Sequence, residues 1–426
     1  MSASYHFHRK PAPRRAVITG VGAVSAAGVG VPALWQSLLE GRSGISRITR
    51  FDTEGMASVL AGEVKNFDPL KLIEPRLKPK RLSRQAKFAV VATGEAVRDA
   101  KLDTPTLRQK RLGIILGSAI CNLEEVVESA RQVERRGAQN ANATMIPLAN
   151  MQAEAIALAD LLGVDNAETM CVSTSCVSGT DAVKLGLDLI RSGRFGTIIC
   201  GGTDAPTSIT PMAEFSTAGL SSRRNEEPER ASRPFDRERD SGLIAEGAGI
   251  VVLESLEDAE DRGAAIYAEV LGGHACLDPA KNRPGSGLET TMRTAMANAS
   301  VSPEHIDYIS AWGAGHPVLD RYETEAIKNV FGGHAHQIAV SSIKGVIGNP
   351  LGAAGALQVV ALCLGYRQSL LPPTANLEHP DMDCDLDFIK DRPRRLRLRN
   401  SLINAHGLGG GNTSLVIGPH HRRNGS

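Results

Sequence analysis

Val172-Ser173-Thr174-Ser175-Cys176-Val177-Ser178-Gly179-Thr180 is a polar, glycine-bearing turn between two segments of different periodicity. Residues 169–172 before it form a short β run, and residues 181–191 after it carry apolar side chains at helical spacing. Strand–turn–helix is the repeating unit of an α/β fold, which is the fold class expected here. A cysteine in such a turn sits at a helix start, where free backbone N–H groups and the positive dipole end stabilise a thiolate. Its own N–H can face the oxyanion that forms in acyl transfer. The plainer reading of Cys176 is a small buried hydrophobe.

Working outward, strands and helices alternate. Residues 16–20, 112–117, 197–200 and 249–253 read as strands, and residues 29–39, 87–100 and 150–162 as helices, the last largely buried. Residues 223–240, rich in charge and proline, read as a solvated loop. The plan around Cys176 is echoed later: residues 338–342, a glycine-rich turn, then residues 352–366. Residues 410–418 (GGNTSLVIG) likewise echo residues 246–254 (EGAGIVVLE). Two similar halves account for both echoes and for a chain of 426 residues.

Composition removes several classes. Lys plus Arg is 48 against 47 for Asp plus Glu, a net +1, which argues against a general polyanion binder. Aromatics are 4%, too few for base-stacking platforms, so no nucleic-acid partner is expected. The seven cysteines are scattered and contain no C-x-x-C, which suits a reducing cytoplasm and no zinc site. Residues 1–15 lack the apolar core of a secretory signal, and residues 351–366 are too short to span a bilayer. No Walker loop or metalloprotease motif is present, and no cofactor or metal is expected.

RRAVITGVGAVSAAG from Arg14, LLEGRSGISRITRFD, VSTSCVSGT, RPFDRERDSGLIAEGAG from Arg233, DYISAWGAGHP from Asp307, SSIKGVIGNPLGAAGALQ from Ser341 and NAHGLGGGN from Asn404 follow one another in that order. Together they resemble the β-ketoacyl-acyl-carrier-protein synthases of fatty-acid and polyketide assembly, along nearly the whole chain. The resemblance implies a thiolase-type five-layered αβαβα fold in two halves, residues 14–258 and 259–418, between a basic extension (1–13) and a polar tail (419–426). It also implies an acyl carrier protein as partner and a homodimer or a heterodimer with another ketosynthase. In relatives the strand running into Gly201-Gly202 is expected to form the dimer seam.

The family's catalytic set is one Cys and two His, and the resemblance puts Trp312 and Asn349 at the histidine positions. Cys176 and Lys344 are kept. The glycine-rich gate reads His406-Gly407-Leu408-Gly409-Gly410-Gly411-Asn412, so His406 and Leu408 stand where the family has Phe. Acyl transfer needs a thiolate and an oxyanion hole, which the N–H groups of Cys176 and Leu408, next to Gly409, can supply without particular side chains. Decarboxylating a malonyl unit needs side-chain donors on the forming enolate, and neither Trp312 nor Asn349 exchanges a proton near neutral pH. Trp312 can also fill the volume of a lost imidazole and narrow the malonyl side of the pocket. His316 reads as a solvated turn residue before Pro317, and His406 as a candidate substitute imidazole.

Arg76, Lys78, Lys80, Arg81 and Arg84 cluster where the family docks its acidic carrier protein, whereas Lys390 and the arginines up to Arg399 read as an edge-strand exterior. The expectation is an acyltransferase that loads Cys176 from acyl carrier protein, with ordinary condensation in doubt. The alternative is a non-catalytic partner like a chain-length factor.

Overall fold

In the N-terminal half five strands lie in the order Glu168–Val172, Leu112–Gly117, Thr197–Asp204, Gly247–Ser255 and Ala16–Ser25. The C-terminal half repeats that order with Ala339–Ser341, Tyr308–Ser310, Ser401–Gly407, Gly411–Gly418 and Ala268–Leu277, and adds Asp387–Phe388 at its edge. Strand directions repeat as well. The first three strands of each half are parallel, and the fourth runs antiparallel to both of its neighbours. Residues 16–18 pair with 268–270 and join the halves into one sheet. This computed structural model describes residues 13–150, 152–279 and 283–420. The extension 1–13 and the tail 419–426 fall almost wholly outside them.

Both sequence echoes occupy equivalent places in the two halves. The helix Ser178–Arg191 follows the edge strand of the first half, and Ala354–Gln368 follows its counterpart in the second. These two helices pack on each other between the two halves of the sheet. Arg84–Asp99 with Gln152–Leu162 covers one outer face, and Leu288–Ala299 with Pro317–Phe331 the other, which makes five layers. The central helix Ala354–Gln368 is buried continuously from Ala354 to Gly365, because its sequence is apolar on every side. Among the described residues, no helix is long and apolar enough to cross a membrane. The two helix starts approach at backbone distance only because both are glycine-bearing. A Cβ on Gly179 would strike the Gly352 carbonyl, and one on Gly355 would strike Thr180.

Two expectations are corrected. Within residues 223–240, residues 231–236 are buried, with the Arg233 side chain 1% exposed and ion-paired to Asp236 at 3.1 Å. Arg239 is buried too, paired with Asp320 at 3.5 Å and Asp381 at 2.6 Å. The expectation holds for residues 223–230, 237, 238 and 240, which are exposed or half-exposed. The buried part is an ion network in which Arg233 pairs locally and Arg239 meets partners far along the chain, which composition alone does not show. The strand Thr197–Asp204 cannot be a dimer seam, since it is buried and paired on both sides. The edge belongs to Glu168–Val172, which pairs among the described residues only with Leu112–Gly117 and is half-buried throughout. The basic run near the C-terminus does lie outside: Arg394–Arg395 pairs with Leu370–Leu371 in a two-stranded ribbon.

Candidate active site

The turn after Glu168–Val172 is held by Ser178, whose Oγ accepts the Thr174 N–H at 2.9 Å and reaches Ser175 O at 2.5 Å. Ser175 takes a left-handed conformation (φ 62), uncommon for a residue with a side chain. The turn brings Cys176 into the wall of a cavity, two residues ahead of the helix start at Ser178. Cys176 is 6% exposed, and burial pushes its thiol up. Desolvation therefore works against the thiolate that the helix start favours. Three groups work against that rise. The Leu408 backbone N–H is directed at the sulfur, the Lys344 ammonium attracts the charge, and the Ser175 hydroxyl lies 3.9 Å from Sγ.

Leu408 stands at the tip of the hairpin joining Ser401–Gly407 to Gly411–Gly418. Gly409 (φ +89) and Gly410 (φ +87) complete the tip in conformations that favour glycine. In the hairpin register His406 lies opposite Asn412, and His406 Nδ1 is 2.9 Å from Asn412 Oδ1. Burial lowers the pKa of His406, against the Asn412 hydrogen bond that raises it.

Trp312 follows the strand Tyr308–Ser310. Its backbone N–H and that of Gly313 donate to the two oxygens of Glu323, at 2.9 and 2.8 Å. Its carbonyl accepts from Lys344 Nζ at 2.8 Å, and the ammonium lies 4.7 Å from the centre of the indole ring. On its other contact, the His406 ring stands edge-on to the indole at 5.1 Å, at 85°. Lys344 is 2% exposed, and burial pulls its pKa down to about 8. Asn349 is anchored through its backbone, donating to Leu243 O at 2.7 Å while its carbonyl accepts from Ala245 at 3.0 Å. Trp312 Nε1 and Asn349 Oδ1 are both buried without a hydrogen-bond partner among the described residues. An unmade hydrogen bond of that kind costs about 1–3 kcal/mol.

Cys176, Trp312, Asn349, His406, Leu408 and Gly409 thus line one cavity of about 620 Å³, otherwise walled mainly by apolar side chains. Lys344 stands behind Trp312 rather than in the wall. His316 is half-exposed directly before Pro317 and lines the same cavity; it also caps the helix Pro317–Phe331, its Nδ1 accepting the Val318 N–H at 3.2 Å. Arg76, Lys78, Lys80 and Arg81 are exposed on two short turns away from the cavity wall. Arg84 leaves that cluster, because its guanidinium is paired with the buried carboxylate of Glu246.

Several supporting residues went unread in the sequence. Glu323 is buried on the same helix face as Asp320, Thr324 and Ile327, so its signal was an acid on an otherwise inward-facing stripe. Asp204 accepts from Ser118 Oγ (2.7 Å) and from the N–H groups of Ala119 (2.8 Å) and Gly352 (2.7 Å), tying the two halves together beside Cys176. Burial pushes Asp204 up to about 6. Asp278, just past the strand Ala268–Leu277, and Asn412, on Gly411–Gly418, are 134 residues apart and carried no local signal.

The family described as Beta-ketoacyl synthase, N-terminal domain, matches residues 14–259, and its C-terminal domain matches residues 267–378. A 3-oxoacyl-[acyl-carrier-protein] synthase 2 of Synechocystis sp. is 38% identical over 412 residues, covering 95% of this chain and 98% of the relative. The solved structure of the ishigamide ketosynthase/chain length factor superposes with a TM-score of 0.90 at 34% identity, covering 96% of this chain and all of that one. A type II polyketide acyl carrier protein in complex with its ketosynthase, bound to the hexaketide, gives a TM-score of 0.88 at 31% identity, covering 96% and 100%. With both halves matched and relatives aligned from end to end, the chain belongs to the beta-ketoacyl synthase family.

Proposed function

We propose that this chain accepts an acyl group from an acyl carrier protein onto Cys176, and that decarboxylative condensation is the weakened half of its chemistry. The observation that carries the reading is the Leu408 N–H aimed at a cavity-lining Cys176 sulfur, with Trp312 and Asn349 in the same cavity. In loading, Sγ attacks the thioester carbonyl, and the N–H groups of Cys176 and Leu408 hold the oxyanion until the carrier thiol leaves. Lys344 supplies the nearby positive charge that favours the attacking thiolate. None of this needs an imidazole.

Decarboxylation differs, because negative charge grows on a malonyl thioester oxygen that needs donors already in place. Trp312 offers one indole N–H and Asn349 one amide, at the two positions where the family resemblance implies histidines. Neither can move a proton near neutral pH. The carrier partner follows from exposed Lys78, Lys80 and Arg81 and from the relative solved with its carrier protein. The unpaired edge Glu168–Val172, with exposed Ile156 nearby on the preceding helix, is the seam on which a second ketosynthase chain would add.

Intact-protein mass after incubation with octanoyl carrier protein tests the reading. Wild type gains the octanoyl mass and Cys176→Ala does not. An unmodified wild type across several chain lengths would instead favour a non-catalytic partner, the reading to which the unpartnered Trp312 and Asn349 also lend support.

A further inference from the structure

His406 is held in one tautomer by a short polar chain. Asn412 Nδ2 donates to Asp278 Oδ1 at 2.8 Å and to Gly410 O at 3.0 Å, which uses both amide hydrogens. Asn412 Oδ1 therefore faces His406 Nδ1 at 2.9 Å, and an oxygen acceptor there requires the hydrogen to sit on Nδ1. Asp278 is itself fixed, since its carboxylate accepts the N–H groups of Gly285 (3.0 Å) and Gly287 (2.8 Å). Nε2 is left with the lone pair of the ring. Burial lowers the ring's pKa, which favours the neutral imidazole. It lines the same cavity as Cys176. Such a ring accepts a proton; it has none to give a forming enolate until it has taken one.

Building on the acyl-Cys176 reading above, we infer that His406 Nε2 is the general base of the second half-reaction and that the acceptor is a neutral hydroxyl. The hydroxyl oxygen bonds to the acyl carbonyl carbon while its proton passes to Nε2. The carbon–sulfur bond then breaks, Sγ leaves as thiolate, and the proton returns from Nε2 to sulfur. The products are an ester and the free thiol, with no other reactant consumed. An aliphatic amine would arrive as an ammonium ion, which has no lone pair for attack. The carboxylate in the wall, Asp278, already accepts from Gly285, Gly287 and Asn412, and the Lys344 cation lies behind that wall.

The experiment loads Cys176 from octanoyl carrier protein, removes the carrier, and chases with 3-hydroxybutyryl pantetheine or malonyl pantetheine. The hydroxyl probe should release the octanoyl group as an ester, faster than the malonyl probe yields carbon dioxide. His406→Phe should slow that release by about 100-fold or more, the usual loss for a missing general base, while loading changes far less. His406→Gln, polar but unable to take the proton, should lose as much, which separates proton transfer from packing. A faster malonyl chase, equal release in both variants and wild type, or an acyl-enzyme stable to both probes would overturn the inference. Absence of any octanoyl adduct would overturn the loading reading itself and this inference with it.

Discussion

The turn at Cys176 and the turn at Asn349 are the same place in the two halves, built differently. The first crosses from strand to helix in five residues, with one left-handed residue at Ser175. The second runs from 342 to 353, folds its own short helix Lys344–Ile347, and turns at left-handed Gly348 and Leu351. Burial acts on their charged groups in opposite senses, raising the Cys176 thiol and lowering the Lys344 amine to about 8. Each group partly offsets the other, since the ammonium favours the thiolate and the thiolate the ammonium. The lesson lies in what each turn exposes to the substrate. On the reading proposed above, the first relies on backbone N–H groups, which survive side-chain replacement; the second presents side chains, which do not. A change in the second turn and the Trp312 loop can therefore alter one half-reaction and spare the other.

The strongest way to break that contrast is to place imidazoles in the second wall. Trp312→His combined with Asn349→His should raise carbon dioxide release from malonyl carrier protein by about 100- to 1000-fold, the range associated with an oxyanion donor. Loading of Cys176 should change little by comparison. Rapid release by wild type, unaffected in the double variant, would show that an indole and an amide suffice and that the two walls do not divide the chemistry.

Lys344 sharpens the contrast, because it belongs to the second turn but acts on the first. Removing its charge takes away a group that lowers the Cys176 pKa, so the pH profile of loading should shift upward in Lys344→Met. At pH 7 the loading rate should fall by about tenfold, the scale of losing one charged partner. A stability measurement checks the same burial. The folded value of about 8 lies below the ordinary 10.5, so the folded chain holds this proton less tightly than the unfolded chain. Its contribution is full above about 10.5 and is lost as pH falls through about 8. Lys344→Met should flatten denaturation midpoints over that window; an unchanged slope would place the amine in contact with water.

What the sequence made legible follows the range of the forces involved. The buried strand Leu112–Gly117 and the unit around Cys176 rest on local periodicity and were readable directly. The helix that carries residues 87–100 was readable too; it begins at Arg84, where Ser83 caps it by accepting the Ala86 N–H at 3.2 Å. The capping role of His316 was missed because histidine is outside the usual capping set, though its ring nitrogen does the same work here. Long-range pairings left no trace in spacing. Arg239 meets Asp320 and Asp381, and Asn412 meets Asp278, only after the sheets assemble. The five layers came from resemblance; the echo alone pointed to two halves, and the repeated strand order now gives it a structural basis.

The smallest expected effect concerns the surface that precedes both half-reactions. Arg76 is tied to Glu74 and to the carbonyls of Asp160 (2.7 Å) and Leu161 (2.8 Å), and Arg84 to Glu246, so reversing either would test folding together with docking. Lys78, Lys80 and Arg81 are exposed in the two short turns they occupy and carry no such ties among the described residues. Reversing these three to Glu should weaken binding of an acidic carrier protein several-fold at low salt. The gap from wild type should close at high salt, because exposed charges about 10 Å or more apart are largely screened at 0.1 M. Loading from octanoyl pantetheine, which has no carrier surface, should stay at the wild-type rate. Carrier loading that is equally insensitive to the reversal would move the docking face elsewhere, while a parallel fall with both donors would show that these turns support the cavity rather than receive a partner.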